Sequence, residues 1–445
     1  MKITGTEIFI IPIGNEVDLA ENDICIVYSP LKDVTALVTA DDAKALSQYF
    51  TEGDALCDDA LSDLALDLAS DEVVNDGTAP DIDKITKMSI LPNLTCNFSC
   101  SYCYSAKGRS NTVISWEKLQ ASLDYFIDPH RISPQAISLF VSGGGEPFLS
   151  WNLLRQLIVY ARERAKQFGF DLRISIITNG SMVNKEKALF LKQNDCSVCV
   201  SFEVLQDLQN DERRLFDLVS SNIKLLGEVG VTTLINSTIT PVSVCRLSEM
   251  VQQIAKDYPF VAQYTMEPVT SDTLFASSDE LRDFYKHFYE EYLKAKVLAK
   301  QNNVPLRFTF DDALRGITVR HCPGKFCITP QGTISICHLA SSPKEKRYNR
   351  CIYGRIDEKG KVLIDHNYFK ELYGVNVFHY ARCAECFAKW SCGGECLARN
   401  ELYSSEFMEE VCRFNRMFIK HLLVEQIENS IKDQYGKSLK EYVNE

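Results

Sequence analysis

The chain has 445 residues, 45% of them apolar and 24% charged, enough for a real core and for two or three domains. Its net charge of −12 argues against a general nucleic-acid or anionic-membrane surface, and no apolar run is long enough to span a bilayer. The opening Met1-Lys2-Ile3-Thr4 lacks a signal-peptide core, so the 17 clustered cysteines read as metal ligands in a reducing cytoplasm rather than as disulfides.

Residues 1–86 form a first unit. Short strands are expected over residues 8–13, 24–28 and 34–38, then helices over 40–50 and 58–68. From Asp41 to Lys84 there are thirteen acidic residues against two lysines, a solvated face or a surface for a basic peptide.

Residues 87–305 alternate strands and helices. Strands are expected at 87–91, 136–141, 172–177, 197–202, 232–239 and 263–268, short and apolar as buried parallel strands are. Six β-α units make an α/β fold, an open partial (β/α)6 barrel. In such a barrel, chemistry belongs on the loops at the C-terminal strand ends.

The loop after the first strand carries Cys96, Cys100 and Cys103, spaced C-x3-C-x2-C, with Tyr102 before the last thiol. Three thiolates can hold one face of a [4Fe–4S] cube and leave one iron open. The second strand runs into Ser142-Gly143-Gly144-Gly145-Glu146-Pro147. Glycines there let backbone approach a ligand, and a carboxylate can hold an ammonium. The third strand ends in Thr178-Asn179-Gly180, and the fourth in Ser201-Phe202-Glu203. Cys196 and Cys199 lie three apart on a strand, so they face opposite sides and read as core thiols. Cys25, Cys57 and Cys245 are isolated and read as packing residues.

After a charged helix over 279–301, residues 306–412 hold a second cysteine field. Cys322, Gly332 and Cys337 are followed by Cys383, Cys386, Cys392 and Cys396, spaced C-x2-C-x5-C-x3-C, and then by Cys412. So many thiols at these spacings call for iron or zinc. An apolar-faced helix over 414–427 and a charged tail complete the chain, with 413–445 as a last unit.

Over residues 87–412 this order resembles the radical SAM enzymes with a C-terminal SPASM extension. The resemblance implies that Cys96, Cys100 and Cys103 hold a site cluster. Its open iron would bind S-adenosylmethionine, whose reductive cleavage gives a 5′-deoxyadenosyl radical. It assigns Gly144, Gly145 and Glu146 to the methionine amino group, Asn179 to the ribose, and Ser201 with Arg213 to the carboxylate. Relatives often have Ser-x-Asp-Gly where this chain has Glu203 and no glycine. The extension implies two auxiliary [4Fe–4S] clusters, three clusters in all. Cys322, Cys337 and Cys396 would bind the first, and Cys383, Cys386, Cys392 and Cys412 the second. The first then needs a fourth ligand. Cys327 is the nearer candidate and Cys351 the other; without either, one iron is open to a substrate thiolate. His338 stands where sulfatase-maturating relatives have an aspartate base.

By the same analogy the N-terminal unit suits a winged-helix-like module holding a leader peptide, the alternative being a cap packed on the barrel. The implied activity is a peptide maturase forming a thioether or carbon–carbon crosslink in a ribosomally made precursor. A flavodoxin or ferredoxin would be the reductant. The alternatives are a sulfatase maturase, a small-molecule dehydrogenase, and a non-catalytic electron carrier. The glycine-glutamate turn argues against the last, which has no need to grip methionine.

Overall fold

The protein is described by a computed structural model that places residues 1–20, 23–70 and 81–444. Asp71, Glu72 and Asp76 of the acidic run lie outside the described residues. The N-terminal unit is an antiparallel meander of β1 (Phe9–Pro12), β2 (Ile24–Ser29) and β3 (Val34–Thr39), followed by helices Ala40–Glu52 and Asp59–Ala69. Thr39 ends β3 and starts the first helix by a capping box with Asp42.

Alternation in these strands feeds two cores. Phe9, Ile11, Ile26 and Tyr28 join the main core of the molecule. Ile8, Ile10, Cys25 and Val27 pack on Leu46, Leu61 and Leu68 of the unit's own helices. The unit is fastened to the second cysteine field through Glu7, which accepts from Lys389 Nζ at 2.7 Å and Trp390 Nε1 at 2.8 Å.

The central sheet holds six parallel strands in chain order: β4 (Lys87–Ile90), β5 (Ala136–Val141), β6 (Asp171–Thr178), β7 (Cys196–Ser201), β8 (Thr233–Ile239) and β9 (Gln263–Pro268). Helices cover the outside. Trp151–Phe168 buries Leu154, Leu157, Ile158, Ala161 and Ala165 on one stripe, and Gly169 ends it at φ 75°. In β7, Cys196, Val198 and Val200 are buried while Ser197, Cys199 and Ser201 on the other face are half-buried. Cys196 and Cys199 therefore face opposite ways, as period two requires. Cys25 is buried, but Cys57 and Cys245 are exposed, which corrects the packing role given to them. Cys57 precedes a helix and Cys245 sits in a turn after β8, where no core is at hand.

The sheet does not stop at residue 305. β10 (Leu306–Arg307) pairs with β9. On the other edge β11 (Phe326–Ile328) runs parallel to β4, and β12 (Thr333–Ser335), β13 (Ile352–Ile356) and β14 (Val362–Ile364) extend it antiparallel. The eleven-stranded sheet thus joins the first part of the second cysteine field directly to the strand that carries the cluster loop. The last long helix, Ser405–Tyr435, is capped by Ser404 and ends at Gly436, outrunning the expected 414–427. Its Phe414 and Phe418 pack among Phe288 and Phe308. No helix among the described residues is long and apolar enough to cross a membrane.

Candidate active site

A cavity of about 440 Å³ opens at the C-terminal ends of β4–β9. Cys96, Cys100 and Cys103 line it together with Tyr102, Gly144, Gly145, Glu146, Asn179, Ser201, Arg213 and His338. These residues come from four strand ends, those of β4 to β7, and from the turn after β12. Glu203 stands behind the wall, under Tyr102 and Arg213.

The glycines serve first to dock two loops. A Cβ on Gly145 would lie 2.0 Å from the Thr95 carbonyl oxygen, and one on Gly144 would lie 2.6 Å from that of Asn93. Glu146 N–H donates to the Thr95 carbonyl at 2.7 Å, and buried Asn93 donates through Nδ2 to the Glu146 carbonyl at 3.0 Å and to Ser150 Oγ at 2.8 Å. The close approach that requires glycine is therefore to the cluster loop itself.

Glu146 is 2% exposed. Its carboxylate accepts from Thr178 Oγ1 and Asn179 N–H, both at 2.7 Å, and from Phe148 N–H at 3.0 Å. Burial pushes its acidity down while these donors offset that. Asn179 continues the chain of contacts, donating through Nδ2 to Asn97 Oδ1 at 2.9 Å, beside Cys96. One hydrogen-bonded band thus runs from the glycine loop through β6 back to the cluster loop.

Two guanidinium groups address the thiols. Arg109 Nη2 lies 3.1 Å from Cys103 Sγ, and Arg213 Nη1 lies 3.8 Å from Cys100 Sγ. Burial pushes the Cys100 thiol up and Arg213 opposes it. Cationic donors at sulfur favour the thiolate, the form that ligates iron. Arg213 is itself oriented by Glu203, with Nε donating at 2.8 Å, and Tyr102 donates its hydroxyl to the same carboxylate oxygen. Two buried polar atoms here lack a protein partner, Arg109 Nη1 and Glu203 Oε2. Arg109 lines the cavity with Nη1 unpartnered, and a guanidinium donor there fits an anionic group of a ligand such as the carboxylate of S-adenosylmethionine. Of these residues, Asn93, Asn97 and Arg109 escape sequence reading, because single polar residues in a loop carry no pattern.

The missing glycine after Glu203 is answered by the backbone. Val204 has φ 66°, and Leu205 N–H donates to the Glu203 carbonyl at 2.7 Å, closing a tight turn. A β-branched residue adopts this conformation at a cost of about 1–3 kcal/mol. The turn that a glycine would make freely is kept, and it aims Glu203 at Arg213.

His338 accepts from Lys325 Nζ at Nδ1, 3.1 Å away. An ammonium only donates, so the imidazole proton is on Nε2. Burial, with Lys325 and Arg347 nearby, keeps the ring neutral, down to about 3. As placed, His338 is a hydrogen-bond donor in the cavity wall rather than a base. A carboxyl that sequence reading passed over also lines the cavity: Glu267, at the end of β9. Its Oε1 accepts from Thr309 N–H at 2.9 Å and from the Thr309 hydroxyl. Burial pushes it up to about 7 against the pull of Thr309 and Arg399. The signal that marks it, burial at a strand end, exists only in the fold.

The second cysteine field divides in space. Cys383, Cys386, Cys392 and Cys412 surround one small cavity with Arg382 and Asn415. Asn415 donates through Nδ2 to Cys392 Sγ at 3.4 Å and to Glu395 Oε2 at 2.7 Å. Cys322, Cys337 and Cys396 are not among the residues that line this cavity. Burial raises the Cys337 thiol, and Cys396, Cys351 and Cys322 raise it further. Cys327 is fully buried within β11.

An open parallel barrel with three thiols on the first loop and a glycine-glutamate turn on the second is the arrangement that the resemblance to radical SAM enzymes implies. Residues 90–254 match the radical SAM superfamily model, and this stretch of the barrel carries that domain. It is 31% identical over 152 residues to the serine-type anaerobic sulfatase-maturating enzyme of Bacteroides thetaiotaomicron, covering 31% of this chain and 35% of that one. It is 19% identical over 369 residues to the radical SAM cyclopropyl synthase TigE of Paramaledivibacter caminithermalis, covering 77% and 74%. Other curated relatives are matched over 41% and 39% of their length, so the chain spans well under two thirds of most of them. Among solved structures, anSMEcpe with bound AdoMet and Kp18Cys peptide superposes with a TM-score of 0.59 at 17% identity, over 77% of this chain and 99% of that one. Streptococcus suis SuiB bound to precursor peptide SuiA gives 0.52 at 14% identity, over 89% and 98%. These structural likenesses concern the fold.

Proposed function

We propose that this enzyme is a peptide maturase of the SPASM type that joins two side chains of a ribosomally made precursor, by a thioether or a carbon–carbon bond. One observation carries the reading. The thiol-lined cavity continues into a second recess of about 370 Å³ that shares Tyr102, Cys103, Tyr104, Arg347 and Leu402 and opens between barrel and cysteine field. A small metabolite needs one chamber, whereas an extended chain needs an entry trough beside it. Lys107, Lys344 and Lys346 line the trough without ion pairs among the described residues. The relatives named above include proteins that act on or bind peptides, which supports the same reading.

When bound, the site cluster and S-adenosylmethionine supply an electron and a hydrogen-abstracting radical. Arg109 and Arg213 donate to the sulfurs of Cys103 and Cys100, and Arg213, held by Glu203, orients the cofactor's amino-acid part together with Ser201. The Glu146 band fixes the glycine loop against the cluster loop. The apolar wall of Ile177, Val269 and Leu402 keeps water from the reacting carbon. The two distal cysteine sets hold the auxiliary clusters, a reading supported by the shared cavity of Cys383, Cys386, Cys392 and Cys412. The N-terminal unit presents β3, paired among the described residues only with β2, as an edge to which a leader can add a strand.

A sulfatase maturase is the second reading, and the donor state of His338 disfavours it. Mass spectrometry of a precursor encoded beside this gene, co-expressed with the enzyme, separates them. A crosslink and a serine-derived formylglycine each lose two hydrogens, whereas a cysteine-derived formylglycine also exchanges sulfur for oxygen. Fragmentation that finds two linked residues supports the crosslink, and a single aldehyde-bearing residue contradicts it.

A further inference from the structure

We propose that Cys351, rather than Cys327, is the fourth ligand of the first auxiliary cluster, closing it together with Cys322, Cys337 and Cys396. The inference rests on the reading that the distal cysteines hold clusters.

Cys351 is the last residue of the short helix Tyr348–Cys351, where the chain turns into β13. Its carbonyl accepts the N–H of Ile336 at 2.9 Å, which sets it directly across from the residue before Cys337. On its other side Arg350 pairs with Glu401 at 2.7 Å, in the helix Leu397–Leu402 that Cys396 caps. The first contact sets Cys351 beside Cys337, and the second ties the adjoining Arg350 to the helix that begins at Cys396. The Cys351 side chain is buried, at 1% exposure.

Cys327 is placed otherwise. It lies in a strand paired on both sides, to Ser89 of β4 and Ser335 of β12. Its neighbour Phe326 stacks on Tyr125 of the covering helix, so Cys327 points to the opposite, inner face of the sheet. The thiol that acts on it is that of Cys351, and none of the other three does. A residue locked in a central strand has no freedom to turn its sulfur toward a cluster at the sheet's end, whereas the helix-to-strand junction at Cys351 does.

A cluster closed by four thiolates has no vacant iron for a substrate thiolate. Such a cluster would serve as a one-electron acceptor and would not hold the substrate.

The test uses the full-length chain carrying Cys96→Ala, Cys100→Ala and Cys103→Ala, so that only auxiliary clusters contribute. After anaerobic reconstitution, iron content and the paramagnetic resonance of the reduced protein are compared with Cys351→Ser and Cys327→Ser added singly. Cys351→Ser is expected to lose about four irons per chain, or to change one resonance in a way that added 2-mercaptoethanol reverses. Cys327→Ser is expected to match its parent. Circular dichroism checks that each variant is folded; should Cys351→Ser not fold, Cys351→Ala with added 2-mercaptoethanol takes its place. A parent that binds no iron overturns the auxiliary-cluster reading. A parent that binds iron, with Cys351→Ser unchanged, with Cys327→Ser losing a cluster, or with a resonance of its own that shifts on 2-mercaptoethanol, overturns the ligand assignment alone.

Discussion

Asn93 and Glu146, 53 residues apart, are joined by a buried hydrogen bond of 3.0 Å from Nδ2 to the Glu146 carbonyl. It ties the loop that carries the three thiols to the loop that carries the glycines. Asn93→Ala removes this bond and the one to Ser150, leaving buried acceptors at a cost of about 1–3 kcal/mol. The expected result is a lower melting temperature and less iron in the site cluster after reconstitution, with the auxiliary content kept. Gly145→Ala, with its Cβ driven into the Thr95 carbonyl, is expected to be worse, losing the site cluster outright. Full site-cluster occupancy in Gly145→Ala would mean that the loops do not need this contact.

Arg213 and Glu203 form a buried pair with Tyr102. Removing one partner of such a pair costs about 3–5 kcal/mol. Glu203→Gln is expected to weaken S-adenosylmethionine binding at least tenfold by equilibrium dialysis and to lower thermal stability. Arg213→Lys is expected not to rescue, because an ammonium lacks the planar fork that reaches both Glu203 and Cys100. Binding unchanged in both variants would remove this network from the cofactor site.

Val204→Gly relieves the positive φ but removes a fully buried side chain, and losing buried aliphatic packing, about 2–5 kcal/mol, outweighs the strain of about 1–3 kcal/mol. A lower denaturation midpoint is expected; a rise would mean that the backbone strain exceeds the packing the valine supplies.

Glu267 carries the pH dependence. Its carboxyl, raised to about 7, binds its proton more tightly in the folded chain than in the unfolded one, where about 4.3 is ordinary. Its contribution to stability is therefore full below the unfolded value and is lost as pH rises through about 7. Glu267→Gln is expected to flatten that part of the stability profile. If the carboxylate takes a proton during turnover, product formation in the parent rises through the same pH and the variant loses both the step and most of the rate. Identical pH profiles would rule out Glu267 as the titrating group.

The parts of this architecture readable from sequence are those with a period or a spacing. The barrel strands end within a residue or so of the expected positions because apolar runs stop where loops begin, and the thiol spacings marked both cysteine fields. β11, β12 and β14 are three residues each, too short to show alternation, so the continuation of the sheet past residue 305 had no sequence signal. The turn at Val204 lacked its glycine, and the docking role of Gly144 and Gly145 depends on Asn93 and Thr95, fifty residues away. Cys351 is the second candidate for the first cluster's fourth ligand, and its backbone contact to Ile336, the residue before Cys337, has no signal in the sequence.

The most direct measurement is the yield of 5′-deoxyadenosine from S-adenosylmethionine by the anaerobically reconstituted, dithionite-reduced protein, alongside Cys100→Ala. The account predicts formation by the parent, increased by a peptide substrate, and none by the variant although its auxiliary clusters remain. Equal yields from both proteins, or none from a parent with full iron content, would contradict it.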